Sequence, residues 1–127
     1  MIIGIGIDII EVDRIRENIE KFGNRFLERV FTQNEIQYCD SKNVQKYQSY
    51  AGRFAAKEAV FKAISSQLSN KYAIQWTDIE VLNQESGMPA IHLHGKLEEL
   101  FGKGFTISVS ISHIDKTAVA NCICEKF

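Results

Sequence analysis

Apolar and small or polar residues alternate over the first ten positions of the chain. Isoleucines occupy every second position from Ile3 to Ile9, which predicts a strand over residues 2–10. The other face of this strand carries Gly4, Gly6, Asp8 and Ile10. Over residues 11–22 the apolar spacing changes to the three and four residues of a helix. Residues 26–31 add a second, short helical turn.

The rest of the chain predicts further helices and then hairpins. Thr32 and Glu35 have the spacing of a capping box, so a helix is expected to start there. Residues 46–67 contain five alanines and predict the longest helix. Helices early and hairpins late favour a single α+β domain over residues 1–127. The remaining elements are two hairpins and a short helix: strands 77–83 and 89–94, helix 96–101, and strands 104–112 and 117–124.

Composition narrows the class of protein. The 127 residues are 45% hydrophobic and 24% charged, with a net charge of −1, which is typical of a globular domain. The charge balance argues against a nucleic-acid partner. No apolar run approaches the roughly 20 residues of a membrane helix. Three cysteines without a C-x-x-C pair favour reduced thiols and a cytoplasmic protein, and no signal peptide is recognised.

Two patterns suggest chemistry while leaving a plain alternative open. Gly4 and Gly6 would leave a hollow beside Asp8 for a ligand, or Asp8 caps the following helix. On the long helix, small alanines precede Glu58 and Lys62 along one line, which would let a ligand approach Glu58. The alternative is an exposed Glu58–Lys62 ion pair at i,i+4.

Three weaker patterns remain. Ser108, Ser110 and Ser112 alternate up to His113 and form either a phosphate-binding row or a half-exposed strand. His92 and His94 share a strand face, but with no third ligand they are interpreted as ordinary strand residues. The early helices offer either a basic strip or a solvated mixed face. The basic residues are Arg14, Lys21, Arg25 and Arg29.

These patterns together, and in this order, resemble the 4′-phosphopantetheinyl transferase family. GIGIDI at residues 4–9 looks like its first motif, and GRFAAKEAVFKA at residues 52–63 looks like its second. The resemblance extends to RFLERVFT at residues 25–32, to residues 76–89 and to SISH at residues 110–113. Chain length is similar to that of the short type, the holo-(acyl-carrier-protein) synthases, rather than the two-lobed members.

The resemblance implies a transfer from coenzyme A. A serine hydroxyl of acyl carrier protein attacks the β-phosphate, phosphopantetheine moves to the serine, and adenosine 3′,5′-bisphosphate leaves. In family terms Asp8 and Glu58 bind Mg²⁺, a hard cation that takes carboxylates, phosphates and waters as ligands. Glu58 is also expected to help deprotonate the serine, and Lys62 to steady the leaving phosphate.

The resemblance also implies which residues bind the nucleotide. Arg53 and His113 are the candidates for the 3′-phosphate of coenzyme A, and Gly87 and Pro89 would shape that side of the cleft. Two positions depart from the family pattern. Ile114 replaces a frequent Ser or Thr, and Met88 replaces a frequent Lys, so one hydroxyl and one charge are missing near the nucleotide.

Two expectations concern partners. Carrier proteins of this kind are generally acidic, so the basic strip of Arg14, Lys21, Arg25 and Arg29 is the expected docking face. Short family members are similar in being homotrimers with the cleft between subunits. The alternative function is a non-catalytic module that binds coenzyme A or a carrier protein. Such a module has no need for a metal between Asp8 and Glu58.

Overall fold

A computed structural model describes residues 1–70 and 73–127. Within these residues there are five α-helices and five strands, with four of the helices in succession after the first strand and the other strands in two hairpins. This α+β arrangement confirms the predicted fold class. No helix in these ranges is long and apolar enough to cross a membrane. The elements are β1 (Ile2–Glu11), α1 (Val12–Phe22), α2 (Asn24–Val30), α3 (Gln33–Asp40), α4 (Lys46–Ile64), β2 (Ile79–Asn83), β3 (Pro89–Leu93), α5 (Gly95–Phe101), β4 (Phe105–His113) and β5 (Thr117–Lys126).

The strands form two antiparallel sheets. One has the order β1-β5-β4, so the N-terminal strand pairs with the last strand of the chain. Asp8 lies opposite Ala120 in this sheet, and Ala120 lies opposite Ile111 on the far side. The other sheet is the β2–β3 hairpin, in which Asn83 pairs with Pro89. Both hairpins were predicted from the sequence.

Helix α4 is buried around most of its circumference. Its alanines, among them Ala55, Ala59 and Ala63, are fully or almost fully buried against the three-stranded sheet. A Cβ added to Gly6 would overlap the carbonyl oxygen of Ala59, and one added to Gly4 would overlap that of Ala63. The expected hollow beside Asp8 is therefore wrong, because the two glycines admit the backbone of α4 rather than a ligand.

A second core forms at the N-terminal half of α4. Helices α1 to α3 bury Ile15, Phe31 and Cys39 against Tyr50 and Ala51. The capping box predicted at the start of α3 is present. The Thr32 side chain accepts a hydrogen bond from the Glu35 backbone, and the Glu35 side chain accepts one from the Thr32 backbone. Helix α1, by contrast, has Glu11 at its N-cap with no side-chain cap, so the expected capping role of Asp8 is wrong.

The outer face of the three-stranded sheet remains uncovered. Ile5, Ile7 and Ile9 on β1 are 68%, 61% and 69% exposed. Their partners on β5, Ile123 opposite Ile5 and Val119 opposite Ile9, continue the same surface. We call the surface formed by these five residues the isoleucine face.

Candidate active site

Strand β1 and helix α4 bring the predicted chemical residues together. The Lys62 ammonium lies 2.9 Å from the Ile7 carbonyl oxygen and 3.2 Å from Asp8 Oδ1. Asp8 and Glu58 are near enough for their charges to interact. The expected Glu58–Lys62 pair is thus replaced by a Lys62–Asp8 ion pair, which connects the two motifs across the helix–sheet interface.

The electrostatics of this group favour a bound cation. Partial burial raises the pKa of the Glu58 carboxyl, the neighbouring Asp8 carboxylate raises it further, and Lys62 opposes both. Two carboxylates that repel each other at a half-buried site fit the donor set of a hard divalent ion. Within residues 1–70 and 73–127 there is no cluster of three or more His, Cys, Asp or Glu side chains suited to a metal. A cation held by this carboxylate pair would need its other ligands from substrate or water.

A cavity of about 240 Å³ adjoins Glu58. Its walls are mostly apolar and include Phe61, Ile74, Trp76 and Ile79. Trp76 stacks on Phe54, with the ring centroids 5.0 Å apart. Phe61 lines this cavity and is half-buried, as is Phe54 on the other side of the stack with Trp76.

A second cavity, of about 180 Å³, gathers all four residues predicted to bind nucleotide. They come from three parts of the chain: Arg53 from α4, Gly87 and Pro89 from the β2–β3 hairpin, and His113 from the end of β4. We call this the Arg53 cavity. The described residues that line it are Tyr38, Gln48, Ser49, Gly52, Arg53, Asn83, Gly87, Pro89, Ile111 and His113.

Arg53 is only 6% exposed, yet it pairs with no acidic side chain within the described ranges. Its guanidinium lies 3.9 Å from the centre of the Tyr38 ring and donates from Nη2 to Asn83 Oδ1. Its Nε is buried without a hydrogen-bond partner in residues 1–70 and 73–127. A buried guanidinium with unused donors is suited to a phosphate ester, which accepts two N–H groups at once.

Several other expectations can be compared with the structure. The three serines of β4 are exposed and share the outer sheet face, whereas Ile111 and His113 line the Arg53 cavity. The serine row is therefore not part of this cavity. Met88 and Ile114 are exposed next to cavity residues. His94 does not pair with His92 as a metal ligand, since its Nε2 lies 3.0 Å from Glu80 Oε1.

The basic strip is exposed on α1 and α2. Unlike Arg16, which pairs with Asp13 and Glu20, its residues form no ion pair within the described ranges. Their charges therefore remain available to a partner. The strip consists of Arg14, Lys21, Arg25 and Arg29.

The sequence analysis missed one buried pair. Lys57 and Glu35 are both fully buried, with Nζ 2.7 Å from Oε1. Lys57 also donates to the carbonyl oxygens of Ile79 and Trp76, while Glu35 accepts from the Val81 amide. Burial lowers the pKa of Lys57, and Glu35 counteracts this. The pair joins α3, α4 and β2 beneath the apolar cavity, and no spacing in the sequence indicates it, because the burial of Lys57 depends on the tertiary packing of α4.

A family model described as the 4′-phosphopantetheinyl transferase superfamily matches residues 4–122, and the chain belongs to this family. It is 49% identical over 121 residues to the holo-[acyl-carrier-protein] synthase of Ruminiclostridium cellulolyticum, covering 94% of this chain and 89% of that one.

Solved structures agree with this assignment. The holo-[acyl-carrier-protein] synthase of Neisseria meningitidis superposes with a TM-score of 0.86 at 30% identity, covering 99% of this chain and all of that one. The Bacillus anthracis synthase in complex with CoA (3′,5′-ADP) gives a TM-score of 0.80 at 36% identity, covering 100% and 99%.

Proposed function

We propose that residues 1–127 form one phosphopantetheinyl transferase domain that converts apo acyl carrier protein to its holo form. The serine oxygen of the carrier forms a bond to the β-phosphorus of coenzyme A. The bond from that phosphorus to the bridging oxygen breaks, and this oxygen leaves with adenosine 3′,5′-bisphosphate. The serine proton passes to a base.

The observation that carries this proposal is the convergence of Asp8, Glu58 and Lys62 at the junction of β1 and α4. Asp8 comes from the first family motif, and Glu58 and Lys62 come from the second. Lys62 joins the motifs directly through its ion pair with Asp8. A binding module would not need two repelling carboxylates beside an ammonium. A phosphoryl transferase uses such a group to stabilise the charge on the phosphate in the transition state.

Asp8 and Glu58 are the residues that would hold Mg²⁺. When bound, the ion supplies positive charge that offsets the negative charge of the diphosphate. Glu58 is proposed to accept the serine proton, directly or through a water. Its partial burial and the Asp8 charge both raise its pKa, which makes it a stronger base than an exposed glutamate.

Lys62 and the Arg53 cavity are proposed to hold the leaving group. Lys62 carries its ammonium at the Asp8 carboxylate, where it can steady an oxygen of the departing phosphate. Arg53 and His113 are assigned to the 3′-phosphate, with Gly87 and Pro89 forming the wall on the hairpin side. The unpaired Nε and the buried position of Arg53 support this assignment.

The basic strip is proposed to bind the carrier. Its four side chains are exposed and form no intramolecular ion pair in the described ranges: Arg14, Lys21, Arg25 and Arg29. Opposite charge on the partner would steer the encounter and fix its orientation.

A cytoplasmic location is also proposed. The three cysteines are free thiols, which agrees with a reducing compartment.

The protein is proposed to act as a homotrimer. The isoleucine face is an exposed apolar surface that spans the edge strand β1 and the central strand β5, and subunit contacts cover surfaces of this kind. In one chain, moreover, the apolar cavity beside Glu58 and the Arg53 cavity share no lining residue. A cleft between neighbouring subunits would combine the Glu58 side of one chain with the Arg53 side of the next.

The test is direct. The protein is incubated with apo acyl carrier protein, coenzyme A and MgCl₂, and the intact mass of the carrier is measured. Addition of one phosphopantetheine per carrier is the expected result, and chelation of the metal should abolish it. A carrier that binds but keeps its apo mass would instead identify a non-catalytic binding module.

A further inference from the structure

A single side-chain amide joins two walls of the Arg53 cavity. Asn83, the last residue of β2, accepts a hydrogen bond from Arg53 Nη2 through its Oδ1. Its Nδ2 donates to the carbonyl oxygen of Gly87, 2.9 Å away. Arg53 belongs to α4 and Gly87 to the loop of the β2–β3 hairpin, so one residue sets the position of both.

The orientation of the Arg53 guanidinium depends strongly on its hydrogen bond to Asn83. Within residues 1–70 and 73–127 the bond to Asn83 is the only hydrogen bond that the Arg53 side chain makes, although a guanidinium carries five N–H donors. The guanidinium also lies over the Tyr38 ring. A ring face limits the tilt of a guanidinium but does not fix its rotation within the plane. The amide therefore determines which donors remain free.

The hairpin loop depends on the same residue. Gly87 has a φ of +88°, and its amide donates to the Gln84 carbonyl oxygen at 2.8 Å. Asn83 Nδ2 adds a side-chain hydrogen bond that restrains the Gly87 carbonyl. Gly87 lines the cavity, so loosening this tie would move part of its wall.

The chemistry of an amide suits both tasks. It offers one acceptor and one donor, whereas a carboxylate offers acceptors alone and an alkyl group neither. An amide is also neutral, so it orients the Arg53 guanidinium without offsetting its charge. An aspartate at this position would pair with Arg53 and reduce its attraction for an anion.

We propose that Asn83 is a positioning residue that holds Arg53 and the Gly87 loop in the geometry that receives a phosphate monoester. The inference rests on the proposed function for the identity of the ligand, which is the 3′-phosphate of coenzyme A. Asn83 contacts Arg53 and Gly87, and through them it determines affinity for that phosphate.

The experiment compares coenzyme A with dephospho-coenzyme A, which lacks the 3′-phosphate. Binding of each is measured by calorimetry for the wild type, Asn83→Ala and Asn83→Asp, with Gln84→Ala as the matched control next in sequence. We expect Asn83→Ala to lower the affinity for coenzyme A by about tenfold and the affinity for dephospho-coenzyme A by less than about threefold. Asn83→Asp should lower the affinity for coenzyme A at least as much, and Gln84→Ala should leave both affinities unchanged.

Kinetics supply a second readout. The KM for coenzyme A should rise in Asn83→Ala while kcat at saturation stays within about twofold, as expected when a ground-state contact is lost. Equal weakening of both ligands would overturn the inference, because it would indicate a general loosening of the cavity. Unchanged affinity for coenzyme A in Asn83→Ala and Asn83→Asp would overturn it as well.

The outcomes also separate this inference from the proposed function. If the wild type modifies the carrier but the Asn83 variants bind both ligands normally, the inference alone is wrong. If the wild type neither binds coenzyme A nor modifies the carrier, the proposed function is wrong and the inference is overturned with it. Asn83 is exposed at a strand end, and a melting curve of each variant checks that it remains folded.

Discussion

At the scale of single residues, the site places unfavourable charge next to a compensating cation. Partial burial raises the pKa of the Glu58 carboxyl, and repulsion by the nearby Asp8 carboxylate raises that pKa further. Lys62 compensates this only in part, since it binds one oxygen of Asp8 and the Ile7 carbonyl oxygen. Binding of a divalent cation together with a diphosphate would stabilise such a pair of carboxylates, because the cation neutralises their charge.

This arrangement predicts the effect of neutral variants. Asp8→Asn and Glu58→Gln should each lower turnover by about 10²-fold or more, the scale of losing one preorganised charge contact. Both variants should remain folded, because removing either charge relieves the repulsion between the carboxylates. Transfer assays with MgCl₂ and thermal melting test this, with the exposed Glu11→Gln as a control. Near-normal Mg²⁺-dependent transfer by both variants would exclude the metal assignment.

The sequence predicted residues of the site only where a motif names them. Asp8, Glu58 and Lys62 were expected from the two motifs, and the Lys62–Asp8 ion pair brings those motifs together. The roles of Gly6 and Asn83 were not predicted. Both depend on which backbone lies opposite in the fold, namely the carbonyl oxygens of Ala59 and Gly87, and no local spacing carries that information.

At the scale of elements, Glu80 connects the β2–β3 hairpin to the start of α3. It is 4% exposed and accepts hydrogen bonds from Thr32 and Asn34, with His94 Nε2 3.0 Å from its other oxygen. Burial acts to raise the pKa of Glu80, but the hydrogen bonds from Thr32, His94 and Asn34 outweigh it and lower that pKa below 4.5. The folded state therefore favours the ionised carboxylate.

The sign of this shift predicts a pH dependence of stability. A carboxylate whose pKa is lower when folded stabilises the protein above its unfolded pKa of about 4.5, and this contribution is lost as the pH falls through the lower, folded value. Glu80→Gln should therefore be destabilising at pH 7 and less so at pH 3. Urea denaturation at both values measures the difference, with the exposed Glu99→Gln as control. A penalty that is the same at both values would contradict this.

The order of the elements was predictable because each has a local signal, such as the capping box at Thr32 or the alternation from Ile3 to Ile9. Their ends were less so. The long helix was expected to reach residue 67, whereas α4 ends at Ile64 and a 3₁₀ turn continues over Ser65–Gln67. The burial of α4 on nearly every side was not predictable from periodicity, because alanine fits equally well against solvent or against another backbone.

At the scale of the whole molecule, the basic strip predicts how the carrier docks. Arg14→Glu should raise the KM for acyl carrier protein while leaving that for coenzyme A nearly unchanged. The penalty should shrink at high salt, because screening weakens contacts between exposed charges. Steady-state kinetics at two ionic strengths test this, with the already paired Arg16→Glu as a comparison. An equal rise in the KM values for both substrates would exclude the basic strip as the docking face.

The last prediction concerns assembly through the isoleucine face. A charge at its centre, as in Ile7→Lys, should dissociate the proposed trimer, and activity should fall with it. Val44→Lys, a change at an exposed apolar residue on another surface, should do neither. Sedimentation velocity at assay concentration measures the oligomer, and a fully active wild-type monomer would contradict the prediction.

Mixing two inactive variants tests whether subunits share a site. Asp8→Asn impairs the carboxylate side and Arg53→Ala the other, and these sides belong to separate cavities within one chain. If the cleft lies between neighbouring subunits, some interfaces of a mixed trimer combine the intact Glu58 side of one chain with the intact Arg53 side of the next. Activity should therefore return in the mixture after dissociation and reassembly. Sites contained within single chains would remain inactive in every combination.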